Sequence, residues 1–573
     1  MEKTVTVKHS HPTGLWYLFG TEMWERFGYY LMLGIFSLYM IDGWNNGGMG
    51  FDAAKKSDIY GTYLGLVYLT PFIGGLLADR VLGYRRSIVM GGLMMSAGYF
   101  LLSIHSTTTF YIALLCIILG NGFFKPNIST LVGNLYSSDE MKDKKDAGYN
   151  IFYMGINIGA FICNFVAAYM RINYGWGYAF AAAGVGMLIG VVIFLTGTKH
   201  IKHVDVIKPT QQGDMSTGKI LGLTVLPMFI FGIIGYMIPG NFLGSDTNDA
   251  FIIGCLPVIG FFIYLAFKAE AKESRAIKAL LAVFTCVILF FAIFHQNGDA
   301  LTVWAEDHTD RNMPTAVSNV ADKVGMAQVV VNNDIVSADQ ETFDKTIAEM
   351  RAKEEAMPAV SKEELAAKAS YSGEIGQLEK SRKYFATLPG DQVPAKGTNL
   401  KLYSTELYQS INPFWVVALT PLVVGVFGLM RRKKKEPSTP TKIFIGLIIT
   451  ALSALVMVGA VFATNDMTMK ASSWWLIASY GVITIGELCL SPMGLSLVSK
   501  LSPPRITALM MGGFFLAISV GNKLSGMLSS LWETMPQKEN FFFLNFGLVL
   551  AAAVVLLLML KWLNSVMKEN NVA

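Results

Sequence analysis

Ten consecutive residues, Thr21-Glu-Met-Trp-Glu-Arg-Phe-Gly-Tyr-Tyr30, concentrate the groups able to do chemistry. On a helix Glu22 and Arg26 stand four residues apart, Glu22 and Glu25 three. Tyr29 and Tyr30 continue the face three and four residues beyond Arg26. One face therefore carries two carboxylates, a guanidinium and two phenols, inside an otherwise apolar run. An ionisable residue within a membrane span costs roughly 2.5–3.5 kcal/mol on insertion scales. Such a face lines a polar cavity or forms a static ion pair between helices; it does not face lipid. Other charges sit in apolar runs too. Lys125 lies in Gly120-Asn-Gly-Phe-Phe-Lys-Pro126 and Glu487 in Gly486-Glu-Leu-Cys-Leu-Ser-Pro-Met-Gly494. His295 and Asp299 are four residues apart, and Lys523, near a helix end, could snorkel to the interface. A cavity holding both signs of charge suits a zwitterion: a cation takes its carboxylate and a carboxylate its ammonium. The proton affinity of a buried carboxylate also depends on which partner is present. Protonation and substrate can then alternately satisfy one buried charge, which is what proton coupling requires.

The elements that must position these residues are membrane helices. The chain has 573 residues, 53% hydrophobic and 15% charged, with 55 Gly and 30 Met. Soluble domains carry about a quarter charged residues, so the balance excludes a soluble multidomain enzyme, and it is the reverse of a disordered chain. Stretches long enough to cross a ~30 Å hydrocarbon core fall near 13–41, 58–78, 84–106, 109–136, 146–170, 177–197, 217–239, 249–268, 276–303, 404–430, 440–463, 471–500, 504–532 and 540–567. The expectation is an all-α membrane protein with fourteen spans. The first span opens with polar residues and contains Glu22, Glu25 and Arg26, so it does not read as a cleavable signal peptide. The five cysteines (Cys116, Cys163, Cys255, Cys286, Cys489) lie in apolar runs and read as small buried hydrophobes.

Lys and Arg in the short loops set orientation. With both termini cytoplasmic, the inner loops hold Arg80, Arg85 and Arg86; Lys142, Lys144 and Lys145; Lys199 and Lys202; Lys268, Lys272, Arg275 and Lys278; Arg431 to Lys435; and Lys500 and Arg505. The outer loops hold few: Lys55, Lys56, Arg171, Lys470 and Lys538. Residues 305–403, with 16 acidic and 12 basic residues, then form a soluble extracytoplasmic insertion, either a surface appendage or a module that captures substrate or a protein partner. Within it Ala327 to Val336 reads as strand, turn and strand, and 339–356 and 361–388 as charged helices. No basic block interleaved with aromatics points to nucleic acid. No phosphate-binding glycine loop or metal-ligand spacing occurs, so the expectation is no enzyme, no cofactor and no metal, with a proton gradient as driving force.

These motifs resemble the proton-dependent oligopeptide transporter (POT, or PTR) family of the major facilitator superfamily. The similarity rests on ExxERFxYY at Glu22–Tyr30, FYxxINxG at Phe152–Gly159, Lys125-Pro126, Asn412-Pro413 and Gly486-Glu487 with the following Ser-Pro-x-Gly-Leu. The superfamily loop motif is present as Gly75-Leu-Leu-Ala-Asp-Arg-Val-Leu-Gly-Tyr-Arg-Arg86, in which Asp79, Arg80, Arg85 and Arg86 would clamp helix ends. The resemblance implies two six-helix bundles. The N-terminal bundle would occupy 1–200, a two-helix insertion 201–270, the first C-terminal helix 271–304, the soluble insertion 305–403 and the remaining helices 404–573. It further implies import of di- and tripeptides with protons by alternating access, in a bacterial inner membrane. Glu22, Glu25, Arg26 and Lys125 would couple protons. Arg26, Tyr29, Tyr30, Tyr68, Lys125, Asn157, Asn412 and Glu487 would line the peptide site, with Glu487 receiving the peptide N-terminus. Two alternatives stay open: a transporter of another solute, such as nitrate or amino-acid-like compounds, and a membrane receptor that binds without turnover.

The chain departs from the family pattern at its outer gate. Leu33 stands where an arginine is common, and the acid of core helix 7 is replaced in His295-Gln-Asn-Gly-Asp299. His295 and Asp299 are therefore a candidate gate or titrating pair, with a polar pair in an outer vestibule as the alternative. Phe514-Phe515 replaces a common Trp-Phe and would alter a side-chain pocket.

Overall fold

The structure, a computed structural model, describes residues 11–138, 141, 144–206, 216–358, 361–388, 392–465, 467–503 and 506–570. Lys142 and Arg505 of the charge map lie outside the described residues.

Apolar runs with small residues give long helices: α1 (Thr13–Ile41), α2 (Ala53–Leu77), α3 (Tyr84–Leu102), α4 (Thr107–Leu135), α5 (Lys145–Tyr174) and α6 (Trp176–Thr196), then a single turn α7 (Thr198–Ile201). The first added pair is α8 (Thr217–Leu223) with α9 (Val225–Met237), and α10 (Asp246–Lys268). Pro227 explains the break between α8 and α9: its ring excludes a helical contact with the carbonyl four residues back, at Leu223. The chain continues through α11 (Ala271–Phe294), α12 (Ala300–Asp307), α13 (Thr315–Lys323), α14 (Gln340–Ala356) and α15 (Lys362–Phe385). It ends with α16 (Ile411–Arg432), α17 (Thr439–Ala463), α18 (Ser473–Leu501), α19 (Thr507–Thr534) and α20 (Lys538–Glu569). Among the described residues, twelve helices are long and apolar enough to cross a membrane. The charged α1 and the glycine-rich α3 are also formed and pack among them.

Helices α1–α6 pack on one another, and α11 and α16–α20 form a second group. The groups meet mainly where α2 crosses α19 and α5 approaches α16, while α10 bridges α9, α11 and α19. The α2–α19 crossing depends on two glycines. A Cβ on Gly61 would sit 2.9 Å from the Gly526 Cα, and one on Gly526 only 2.4 Å from the Ser57 carbonyl oxygen. Gly526→Val is therefore expected to force this crossing apart. A cysteine placed at Leu33 should then become reachable by a membrane-impermeant maleimide, whereas in the parent protein it should stay protected.

The span expected at 276–303 is not one helix. It stops at Phe294, passes through a 3-10 turn at His295–Gly298 and restarts as α12. Asn-Gly is a turn signal, and the break frees backbone carbonyls for cross-helix bonds: Ser37 donates to Gly298 O at 2.8 Å and Gln409 to Asn297 O at 2.7 Å.

Residues 305–403 form a small α/β unit. The two charged helices occur as expected, α14 capped by Asp339 and α15 by a Ser361–Glu364 capping box. The hairpin expected within Ala327–Val336 does not form. Strand β1 (Thr309–Asp310) pairs with β4 (Ala471–Ser472), while β2 (Gln328–Val331) pairs antiparallel with β3 (Asn399–Leu402), some seventy residues on. Both strands find deeper cover this way, because Val330 and Leu402 join Phe343, Ile347, Ile375 and Leu378 in the unit's own apolar core.

Candidate functional site

A cavity of about 310 Å³ lies between the two helix groups, within the usual range for small-molecule sites. Glu22, Arg26, Tyr29, Tyr30, Tyr68, Lys125, Asn157, His295, Asn412 and Glu487 all line it. Glu25 stands behind Arg26, fully buried. Residues from α1, α2, α4, α5, α11, α16 and α18 thus converge on one chamber.

The α1 face is built as its spacing implies. Arg26 grips the Glu25 carboxylate through both Nε and Nη2, the latter at 2.7 Å, and its Nε lies 3.3 Å from Glu22 Oε1. The guanidinium also sits 5.0 Å from the Tyr29 ring centre and 6.0 Å from that of Tyr30. Two buried carboxylates share one guanidinium, so one negative charge is in excess. Glu22 Oε2 has no hydrogen-bond partner among the described residues. Buried charge of this kind needs a counter-ion or a proton.

Lys125 and Glu487 stand outside this cluster. No carboxylate of the described residues lies within ion-pair distance of Lys125; its ammonium rests 4.1 Å over the Tyr68 ring. Glu487 has no cation against it among the described residues and accepts one weak bond from Asn412, at 3.3 Å. Asn412 is itself held by Thr484 at 2.9 Å. The cavity thus offers one unneutralised cation and one unneutralised carboxylate from opposite helix groups. Asn157, also in the chamber lining, donates to the Tyr153 carbonyl oxygen at 2.9 Å.

His295 and Asp299 do not form a pair. His295 stacks on Phe291 and meets the edge of Tyr68. Asp299, beyond the turn, is bonded to Lys56 and to Ser37 Oγ at 3.3 Å. The helix break at 295–298 separates the two groups, an outcome that i,i+4 spacing on a continuous helix would not give. Lys56 is correspondingly no loop residue: it lies in the first turn of α2, 3% exposed. Lys523 does not snorkel either. It is buried against Asp58 at 2.6 Å and Thr62 at 2.5 Å. Arg171, expected in an outer loop, is locked to Glu406 at 2.6 Å and Ser404 at 2.8 Å. Three ion pairs, Lys56–Asp299, Asp58–Lys523 and Arg171–Glu406, therefore close the chamber between the helix groups on the side that carries 305–403. Sequence reasoning missed them because each partner, taken alone, looked like a span-end charge.

The opposite side is open. Lys125 and Ser129 also line a second cavity of about 870 Å³ that runs past Gly75, Asp79 and Arg80 to Met511 and Phe515. In the loop motif, Arg85 lies 3.5 Å from Asp205, whose carboxylate also accepts the Tyr84 backbone N–H at 2.9 Å; Arg86 is exposed. Asp79 and Arg80 line the opening, so the motif's charges divide between a helix-end clamp and the cavity mouth.

The chain is similar to known proteins over nearly its whole length. The profile of the POT family matches residues 85–323 and 395–545. The chain is 29% identical to the uncharacterized transporter YclF of Bacillus subtilis (strain 168), over 96% of this chain and 94% of that protein. It is 28% identical to the di-/tripeptide transporter of Lactococcus lactis subsp. cremoris, over 98% and 97%. A crystal structure of a point mutant of peptide transporter POT in complex with alafosfalin superposes with a TM-score of 0.73 at 26% identity, covering 97% of this chain and 96% of that one.

Proposed function

The chain belongs to the POT family, and on that premise we propose that it imports di- and tripeptides together with protons by alternating access. The family and these relatives are transporters, not enzymes. The observation that carries the reading is the pairing of an unneutralised Lys125 with an unneutralised Glu487 across one chamber. A short peptide is a dipolar ion whose two ends match them: its carboxylate meets Lys125, its ammonium Glu487. Side chains then need only loose pockets, since termini and amides are common to all peptides.

Proton coupling is assigned to the α1 cluster. With Glu22 and Glu25 sharing Arg26, a proton balances the excess charge when no substrate is present. Peptide arriving at Lys125 changes the field at Glu22 and favours transfer of that proton. The closed side with its three ion pairs and the open side past Asp79 give an inward-facing state. Reading α1 and α3 as spans brings the count to fourteen, with two six-helix bundles, α8–α10 between them and 305–403 outside. In this reading both termini face the cytoplasm and the membrane is a bacterial inner membrane. No cofactor is invoked.

Asn412 acts here by holding Glu487 rather than by touching peptide backbone alone. Asn412→Ala removes its donor, and a hydrogen bond to a charged group is worth about 1.5–3 kcal/mol. Dialanine binding, measured by calorimetry on the purified protein, is expected to weaken about tenfold or more. Unchanged affinity would return Asn412 to a packing role. The function itself is tested by uptake of labelled dialanine into proteoliposomes with an inward proton gradient; uptake of nitrate in place of dialanine would overturn it.

A further inference from the structure

A third cavity, of about 280 Å³, lies outside the ion-pair layer, between the helix ends and the 305–403 unit. Asp42, Arg171 and Trp176 line it from the N-terminal helices, and Arg311, Lys380 and Lys470 from the other side. Much of its wall belongs to residues 324–394, which fall outside the matched POT family segments. Arg311 and Lys470, by contrast, lie within the matched segments, so the cleft is built where the insertion meets the helix ends.

With Arg171 set aside, four cations and four carboxylates line it, but they are not paired one to one. Four carboxylates line it, and each already has a cation: Asp42 with Lys380 at 3.1 Å, Glu306 with Arg311 at 3.2 Å, Asp307 with Lys383 at 2.6 Å and Glu379 with Arg351 at 2.9 Å. Arg171 is taken by Glu406. Lys470 remains without a carboxylate among the described residues. Its ammonium donates to the Asp307 carbonyl oxygen at 2.9 Å and lies 4.3 Å over the Tyr384 ring. Arg311, 2% exposed, adds an Nε with no hydrogen-bond partner among the described residues. Burial, with Arg311 nearby, pushes the Lys470 ammonium down to about 8, against the opposing pull of Asp307, Glu306 and Asp310.

We propose that this outer cleft is a binding site for a small organic carboxylate, with Lys470 as its principal cation and Arg311 lending an N–H donor. The cleft has room for an acid of a few carbons, and Trp176 and Tyr384 offer flat apolar walls beside the charge. The site is separate from the central chamber, since the Lys56–Asp299 layer stands between them.

The test is calorimetric titration of the purified full-length protein with succinate, with succinamide as the uncharged control. Succinate is expected to bind and succinamide not. Lys470→Gln should weaken succinate by about tenfold or more, while Lys470→Arg keeps it within about threefold. Dialanine binding by Lys470→Gln should remain, which shows that the variant is folded. Glu487→Gln should leave succinate binding intact while losing dialanine, so failure of the peptide reading is distinguishable from failure of this one. No succinate binding at millimolar concentration, equal binding by Lys470→Gln, or loss of succinate in Glu487→Gln would each overturn the proposal.

Discussion

Glu487→Gln is expected to weaken dialanine binding by about a hundredfold, with little effect on N-acetyl-dialanine. Glu487 is held only by Asn412, at 3.3 Å, and no cation of the described residues opposes it. Its charge is thus kept available, and the peptide ammonium is the group that satisfies it. Glutamine preserves shape but removes the charge, so the bound ammonium loses its partner in a site with little water. Truncating one member of a buried charged pair costs about 2–5 kcal/mol, which spans roughly thirtyfold to several thousandfold in affinity. Acetylation removes the ammonium from the ligand and should therefore remove most of the variant's effect. Calorimetry with both ligands on both proteins completes the cycle. Equal losses for the two ligands would show that Glu487 supports the chamber rather than the peptide N-terminus.

The second large effect is expected at the closed side. Lys56→Gln leaves the Asp299 carboxylate buried with, among the described residues, the Ser37 hydroxyl as its one hydrogen-bond donor. Breaking a buried ion pair by removing one partner costs about 3–5 kcal/mol. Opening that side to water relieves the penalty, so the equilibrium between inward and outward states should shift by about a hundredfold or more. The readout is impermeant maleimide labelling of a cysteine at Leu33, slow in the parent and fast in Lys56→Gln. Asp299→Asn should behave likewise. The double variant carries no orphaned charge and should return most of the way to protection. Additive effects in the double variant would mean that the two residues act separately.

How far the sequence reveals this molecule depends on the kind of signal. Helix positions follow from apolar runs, and α1, α4 and α17 lie within a few residues of where those runs place them. The convergence of Glu22, Arg26, Lys125 and Glu487 was legible because charge inside an apolar run has few places to go. The ion-pair layer was not. Lys56, Asp58, Arg171 and Glu406 stand at span ends, where charges ordinarily meet water, and nothing local distinguishes a sealed end from a wet one. The same limit applies to β2. Its run of valines announces a strand, but its partner at Asn399–Leu402 is chosen by tertiary cover and not by the turn that follows it. The break after Phe294 was readable in Asn297-Gly298, yet the apolar run on both sides masked it. That break is what turns Asp299 toward Lys56 and away from His295.

The central claim is that peptide and proton share one buried charge balance, with Glu22 on the proton side. The most direct measurement compares the parent protein and Glu22→Gln in proteoliposomes, following labelled dialanine in two modes: uptake driven by an inward proton gradient, and exchange against internal dialanine without a gradient. The parent should do both. Glu22→Gln, fixed in a neutral form, should exchange dialanine but fail to accumulate it when the gradient is applied. Gradient-driven accumulation by Glu22→Gln at the parent level, or parent uptake indifferent to the gradient, would contradict the account.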